Sequence, residues 1–155
     1  MFSIRPYKDS DQDNLLRMIV SILEEYQMVL NLEVTDYELV NINKVYGKDN
    51  STFFVVEHGE ELVGSVGVRA FSNDICELRK LYVSKEYRCK GLGRNLIDEA
   101  IDFAVLKDYK KIRLEVSSKH LQAIHLYEKY GFEKISTNSN SSRCEYVYEK
   151  RLKID

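Results

Sequence analysis

Ten residues, Tyr87-Arg88-Cys89-Lys90-Gly91-Leu92-Gly93-Arg94-Asn95-Leu96, set two glycines among three cations. An apolar, β-prone run, Leu78-Arg79-Lys80-Leu81-Tyr82-Val83, precedes them. Leu96, Ile97, Ala100, Ile101, Ala104 and Val105 follow at helical spacing. The glycines therefore fall where a strand turns into a helix N-terminus. There the first backbone N–H groups lack intrahelical partners and the helix dipole favours negative charge. Glycine admits a phosphate to the main chain without a Cβ in the way. Arg88, Lys90 and Arg94 add charge at the same place, and Cys89 serves there as a small residue lending its N–H. The pattern predicts a phosphate-binding turn.

Two familiar phosphate loops do not fit. A Walker loop ends in Gly-Lys-Ser/Thr, whereas here the lysine comes before the glycine. A dinucleotide fingerprint needs a third glycine or an alanine where Leu96 stands, and it follows the first strand of a βαβ unit rather than lying past mid-chain. Downstream lies a second segment: Leu114-Glu115-Val116, then Ala123-Ile124-His125-Leu126-Tyr127-Glu128-Lys129-Tyr130-Gly131-Phe132. Arg-x-x-Gly-x-Gly after a strand ending Leu-Tyr-Val resembles the pyrophosphate loop of the GNAT superfamily of acyl-CoA-dependent N-acetyltransferases. The downstream segment resembles that superfamily's other signature, the strand and helix that close over the pantetheine arm. The two span about residues 77–132.

The resemblance implies acetyl-CoA as co-substrate and acetyl transfer to a primary amine, by direct attack in a ternary complex. It implies a cofactor site made of Leu81, Tyr82 and Val83 and of the turn Arg88, Cys89, Lys90, Gly91, Leu92, Gly93 and Arg94. Leu81 and Val83 would lend backbone groups to the pantetheine amides while Tyr82 faces the other way. His120 stands where many members carry Asn, three residues before the helix alanine, and its imidazole would make the cofactor contact. The motif sets the Tyr127 hydroxyl near the sulfur. A phenol of pKa near ~10 can protonate a departing thiolate of pKa near ~8.5. An acceptor amine of pKa near ~10.4 is almost wholly protonated at pH 7, so a carboxylate must take its proton. Glu77, at the head of its strand, is the first candidate base and Glu115 the second. A backbone N–H on a bulged strand would receive the oxyanion. No cysteine is expected where an acyl-enzyme nucleophile would stand. The alternatives are a non-catalytic acyl-CoA sensor on the same fold and, disfavoured by the missing glycine, a nucleotide-binding enzyme.

The elements that must carry these residues read as β, α, α, three β, α, β, α, two β. That order predicts an α+β fold, a mixed and mostly antiparallel sheet of about seven strands flanked by about four helices. Ile4 to Tyr7 reads as the first strand. Ser10 is placed as the cap of a helix carrying Leu15, Met18, Ile19, Ile22, Leu23 and Tyr26 on one face. Thr35-Asp36-Tyr37-Glu38 reads as a capping box opening a second helix with Leu39, Ile42 and Tyr46 inward. Strands follow at 52–57, 62–70 and 75–83, with turns at His58-Gly59-Glu60 and Ser72-Asn73-Asp74. After the glycine turn come a helix to about Lys107, a strand at 112–116, a helix over about 121–130 stopped by Gly131, and strands at 132–136 and 145–152. The polar link Thr137-Asn138-Ser139-Asn140-Ser141-Ser142 between the last two is expected to be mobile. The last strand is expected at a sheet edge, open to pairing in a homodimer.

Composition narrows the rest. At 155 residues the chain has room for one domain, 1–155, with one good core. A net charge of −2 and a pI near 6.0 argue against a nucleic-acid partner. No apolar run is long enough to span a membrane, and the N-terminus lacks a signal-peptide layout. Three dispersed cysteines without Cys-x-x-Cys point to reduced thiols in a cytoplasm, and not to zinc. His120 and His125, five apart, do not share a helix face, so no metal is expected. Between Met18 and Asn43 there is no Lys or Arg, while Glu24, Glu25, Glu33, Asp36 and Glu38 occur with Tyr26 and Tyr37. Such a stretch could draw a cationic amine, although charged helix surfaces need no ligand. The acceptor, a small-molecule amine or a protein amine, stays open.

Overall fold

The structure is a computed structural model that describes residues 1–139 and 143–152. Seven strands are present: β1 (Phe2–Pro6), β2 (Thr52–His58), β3 (Glu61–Ala70), β4 (Ile75–Val83), β5 (Lys111–Val116), β6 (Glu133–Ser136) and β7 (Tyr146–Arg151). They form one sheet in the order β1-β2-β3-β4-β5-β7-β6. Every adjacent pair is antiparallel except β4 and β5. Four α-helices flank it: α1 (Gln12–Glu25), α2 (Ile42–Tyr46), α3 (Leu92–Leu106) and α4 (Leu121–Lys129). The expected α+β architecture is present.

Each face of the sheet has its own core. Leu15, Met18, Ile19, Ile22 and Leu23 make the apolar stripe of α1, which packs with Leu39, Ile42, Tyr46, Phe53 and Val55. On the other face Leu92, Leu96, Ile97, Ala100 and Ala104 of α3 and Ile124 and Tyr127 of α4 meet Leu78, Ile112, Leu114 and Val116. Strand β3, covered on both faces, is buried without interruption from Leu62 to Val68. Gly67 within it is obligatory for packing, because a Cβ there would lie 2.7 Å from the Tyr46 ring.

Two local expectations fail, both through charge. Ser10 does not cap α1. It lies in a 3-10 turn, Asp9–Asp11, and Asp11 instead accepts the Lys8 N–H (2.9 Å) while Arg5 clamps its carboxylate at 2.8 Å. The capping box at Thr35–Glu38 does not form either. Tyr37–Val40 is a 3-10 turn, α2 is only five residues long, and neither helix has a side-chain cap. Asp36 and Glu38 are instead paired inside the protein with cations from β4, and leaving those cations unpaired there would cost more than the roughly 1 kcal/mol of a cap.

The last strand is not an edge. β7 is inserted between β5 and β6, its backbone paired on both sides, so the edges are β1 and β6. It therefore offers no open ladder to a second copy. In the link after β6, Asn138 N–H donates to Ser136 Oγ and Ser139 N–H to the Glu145 carbonyl. Residues 140–142 of the expected mobile segment lie outside the described residues.

Candidate active site

The site is created by a fork in the sheet. β4 and β5 pair only at Ile75 with Lys111, Cys76 with Ile112 and Glu77 with Arg113. Beyond that rung the strands part, and a cavity of about 590 Å³ opens between them. Its size and mixed lining suit a small-molecule ligand.

A bulge in β4 sets what faces the fork. Ser65 of β3 pairs with Tyr82 but Gly67 pairs with Arg79, so β4 holds one residue more than β3 across this stretch. Lys80 takes up the surplus with φ +53, and its carbonyl accepts from Ser65 Oγ at 2.8 Å. The extra residue reverses the alternation of side chains. Leu81 and Val83 join Leu78 on the α3/α4 side, while Tyr82 turns to the α1 side. All three border the cavity.

At one end of the cavity lies the glycine turn. Cys89 (φ +62) and Gly91 (φ +84) are both left-handed, coiling the chain just ahead of α3, and no atom lies within 4 Å of where a Gly91 Cβ would stand. Bonding within α3 begins with Asn95 N–H donating to the Gly91 carbonyl (3.0 Å), which leaves the preceding amides at the helix start for an anion. Arg88, Cys89, Leu92 and Gly93 line the cavity. Lys90, Gly91 and Arg94 stand exposed on the same turn, outside that lining. Arg88 is held by the Val83 carbonyl (3.0 Å) and by Glu25 of α1 (2.7 Å).

The other end carries the titratable groups. Tyr127 of α4 lines the cavity and is 5% exposed. Burial pushes its hydroxyl well above the ordinary phenol value, with Cys144 and Tyr82 adding, so it stays protonated at neutral pH. Among the described residues it has no hydrogen-bond partner, and no fully enclosed side-chain oxygen lacks one, so the hydroxyl reaches the cavity space. Glu115 of β5 also lines the cavity, its carboxylate accepting from Ser139 Oγ at 2.9 Å with Arg113 at 3.7 Å. His120, in the N-cap position of α4, lies edge-on to Tyr26 across 4.3 Å. Burial first, then Arg88, Arg143 and Lys119, lower its pKa, so it is a neutral ring.

Glu77 is elsewhere. It is 2% exposed, does not line the cavity, and accepts from Arg69 (3.2 Å), Arg79 (3.2 Å) and Arg113 (2.5 Å). Three guanidiniums bind this carboxylate beneath the fork, away from the cavity. Glu38 lies beside it, taking Arg79 at 2.9 Å, Arg69 at 3.3 Å and the Tyr46 hydroxyl at 2.5 Å. Asp36 receives Lys80 at 2.8 Å and Arg143 at 2.6 Å. The acidic stretch therefore divides: Glu24 and Glu25 stand exposed on α1 and Glu33 in the loop after it. Its inner members are buried ion-pair partners.

Several cavity residues escaped the sequence reading, Arg79, Lys80, Arg143 and Cys144 among them. Cys144 lines the reacting end beside Tyr127 and Glu115. Burial pushes its thiol pKa up and Glu115 adds to this, the reverse of what an acyl-accepting thiolate needs. Its position before β7, on a chain return from the far edge, carried no local signal.

The arrangement is a cleft with a glycine turn and a helix N-terminus at one end and a phenol and a carboxylate at the other. A sequence profile of the acetyltransferase (GNAT) family matches residues 16–132. The uncharacterized N-acetyltransferase YjgM of Escherichia coli is 34% identical over 131 residues, 80% of this chain and 78% of its own. A GNAT-family acetyltransferase of Staphylococcus aureus superposes with a TM-score of 0.91 at 24% identity, covering 99% of this chain and all of that one. The PaiA N-acetyltransferase of Thermoplasma acidophilum, solved with coenzyme A, superposes with a TM-score of 0.74 at 20% identity, covering 98% and 99%. These last two likenesses bear on the fold.

Proposed function

The chain belongs to the acetyltransferase (GNAT) family and is an acetyl-CoA-dependent N-acetyltransferase, and on that premise we propose that it passes the acetyl group to a primary amine by direct attack in a ternary complex. Acetyl-CoA, when bound, supplies an acyl thioester. The chain fits it: helix-start amides and Arg88 suit the diphosphate, and the edges of Leu81 and Val83 suit the pantetheine amides. Lys90, Gly91 and Arg94 shape and charge that turn from outside the cavity, and His120 borders the arm as a neutral ring.

The observation that carries the reading is the meeting of Tyr127 and Glu115 in the cavity that opens where β4 and β5 part. Glu115, directly or through water, takes a proton from the acceptor ammonium, and the freed nitrogen attacks the thioester carbon. A C–N bond forms, the C–S bond breaks, and Tyr127 gives its proton to the departing sulfur. Glu115 passes the first proton to solvent, and the second proton of the acylated nitrogen goes to the Tyr127 phenolate, which restores the phenol and leaves a neutral amide. Glu77 holds Arg79 and Arg113 in position beneath the fork and takes no proton from the substrate. Among the described residues, no helix is long and apolar enough to cross a membrane.

A thermal-shift titration with acetyl-CoA, desulfo-CoA, ATP and NADH tests the premise. A ligand at about a hundredfold over its Kd stabilises by roughly 2.7 kcal/mol. Stabilisation by both CoA compounds alone is expected, followed by thiol release when amines are added. CoA binding without turnover on any amine would point to an acyl-CoA sensor instead.

A further inference from the structure

We propose that Ser65 and Lys80 are positioning residues for the acetyl transfer, which together aim the Leu81 N–H into the fork as a donor to the thioester carbonyl oxygen. This rests on the acetyltransferase reading above and deepens it at the same site.

Ser65 is out of keeping with its strand. From Leu62 to Val68 of β3 every other residue is apolar or glycine, yet this serine is wholly buried among them. A buried hydroxyl is costly unless it is bonded, and this one donates to the Lys80 carbonyl at 2.8 Å. That carbonyl belongs to the bulge, where the ladder skips a residue and does not by itself fix the peptide plane. Ser65 does not line the cavity and acts on it from behind the strand.

Fixing the carbonyl fixes the amide that follows it. The peptide is planar and trans, so the Lys80 C=O and the Leu81 N–H point in opposite directions. With the carbonyl turned to β3, the N–H points to the side that β5 has left, since pairing with β5 ends at Glu77. The rest of the ladder agrees. Ser84 N–H donates to the Val63 carbonyl (2.9 Å), and bonded pairs alternate along an antiparallel ladder. Tyr82 therefore spends its backbone groups on Ser65, while those of Leu81 and Val83 face the cavity. The Val83 carbonyl accordingly accepts from Arg88 Nε at 3.0 Å.

Lys80 holds the same peptide from its other end. Its φ of +53 is one that glycine takes freely and a lysine resists. The side chain is anchored all the same: Nζ donates to the wholly buried Asp36 at 2.8 Å and to the Thr35 carbonyl at 3.3 Å. Asp36 is itself fixed by the Asn31 N–H at 2.8 Å. As the acceptor nitrogen adds to the thioester carbon, an electron pair moves onto the carbonyl oxygen, and it returns as the C–S bond breaks. An amide already aimed at that oxygen stabilises the charge without reorganising.

The test uses the full chain with acetyl-CoA isotope-labelled at the thioester carbonyl, read by difference infrared spectroscopy. In the unsubstituted protein the bound carbonyl stretch is expected below that of free acetyl-CoA. In Ser65→Ala the band should move back toward the free value and kcat should fall by about tenfold to a hundredfold, while the Kd for desulfo-CoA, which has no thioester, changes less than about threefold. Lys80→Gly, which suits the left-handed φ, should give the same pattern, and it carries the test if Ser65→Ala does not fold. A bound band at the free position in the unsubstituted protein would overturn the proposal. So would an unmoved band in a folded variant, whether or not its turnover falls. Failure of the unsubstituted protein to bind acetyl-CoA would overturn the acetyltransferase reading itself, so the two failures are separable.

Discussion

Arg113 donates to Glu77 at 2.5 Å across the last rung on which β4 and β5 remain paired. This ion pair closes the crotch of the fork, and the reacting end of the cavity begins just above it. Glu77 and Glu115 lie on one face of the sheet, but only Glu115 lies past the point of parting. Exchanging each for glutamine should therefore have different consequences. Glu77→Gln leaves three guanidiniums short of one charge and should cost about 3 kcal/mol of stability. Glu115→Gln should leave the fold and acetyl-CoA affinity intact while slowing turnover by about a hundredfold or more. Urea denaturation and thiol-release kinetics on the two variants check this. Slow turnover in a fully stable Glu77→Gln protein would reverse the two roles.

Tyr127 is almost enclosed, yet its hydroxyl makes no bond among the described residues. Phenylalanine fills the same volume, so Tyr127→Phe should keep the core around Phe132 and Leu126. Turnover should fall by about a hundredfold while the Kd for acetyl-CoA changes less than about threefold. Calorimetric titration beside steady-state kinetics separates the two quantities. Unchanged turnover would sink the acid assignment.

Gly91 takes φ +84 at the start of α3, a conformation a β-branched side chain resists by about 1–2 kcal/mol. Its missing Cβ faces open space and supports no packing. Gly91→Val should thus remain folded, with a modest fall in Tm, while the altered turn loses acetyl-CoA binding by tenfold or more. Circular dichroism and the thermal-shift assay read these separately. Full affinity in the folded variant would remove the turn from the cofactor site.

The helices on the α3/α4 face were legible because the signals were local. The stripe from Leu92 to Ala104, the glycine at its head and Gly131 after α4 each act over a few residues. The alternation Ile112, Leu114, Val116 likewise fixed which side of β5 is buried. What could not be read depends on distant partners. Thr35 and Glu38 spell a capping box by themselves, and only cations 31 or more residues away, Arg69, Arg79, Lys80 and Arg143, hold Asp36 and Glu38 inward. The bulge at Lys80 reverses side-chain parity without any glycine or proline to announce it. Glu115 borders the cavity and Glu77 does not because β4 and β5 part between them, a property of pairing and not of either strand. Cys144 enters the site because β7 inserts beside β5, and no spacing in the chain encodes that insertion.

The presence of Cys144 beside Tyr127 makes the order of events testable. A double-displacement route would need a thiolate, and burial pushes this thiol away from ionisation. Incubation with acetyl-CoA in the absence of any amine should therefore leave the intact mass unchanged. Stoichiometric acetylation that maps to Cys144 and is discharged by an added amine would replace direct transfer with an acyl-enzyme.

Asp36 links the site to acid stability. Burial alone would raise its carboxyl pKa, but the Arg143 hydrogen bonds and the Lys80 charge reverse that and hold it at about 2. An unfolded aspartate titrates near ~3.9. A folded value below the unfolded one means that the contribution is present above pH ~4 and is lost as pH falls through about 2. The difference of about two units corresponds to roughly 2–3 kcal/mol. Asp36→Asn removes that titration while leaving Glu38, Asp11 and the other carboxylates in place, so the gap between the two proteins isolates it. Denaturant unfolding at a series of pH values should show a wide, constant gap from pH 6 to about 4, closing as pH falls toward 2. A gap that stays constant through that window would mean that Asp36 is not held ionised by Lys80 and Arg143.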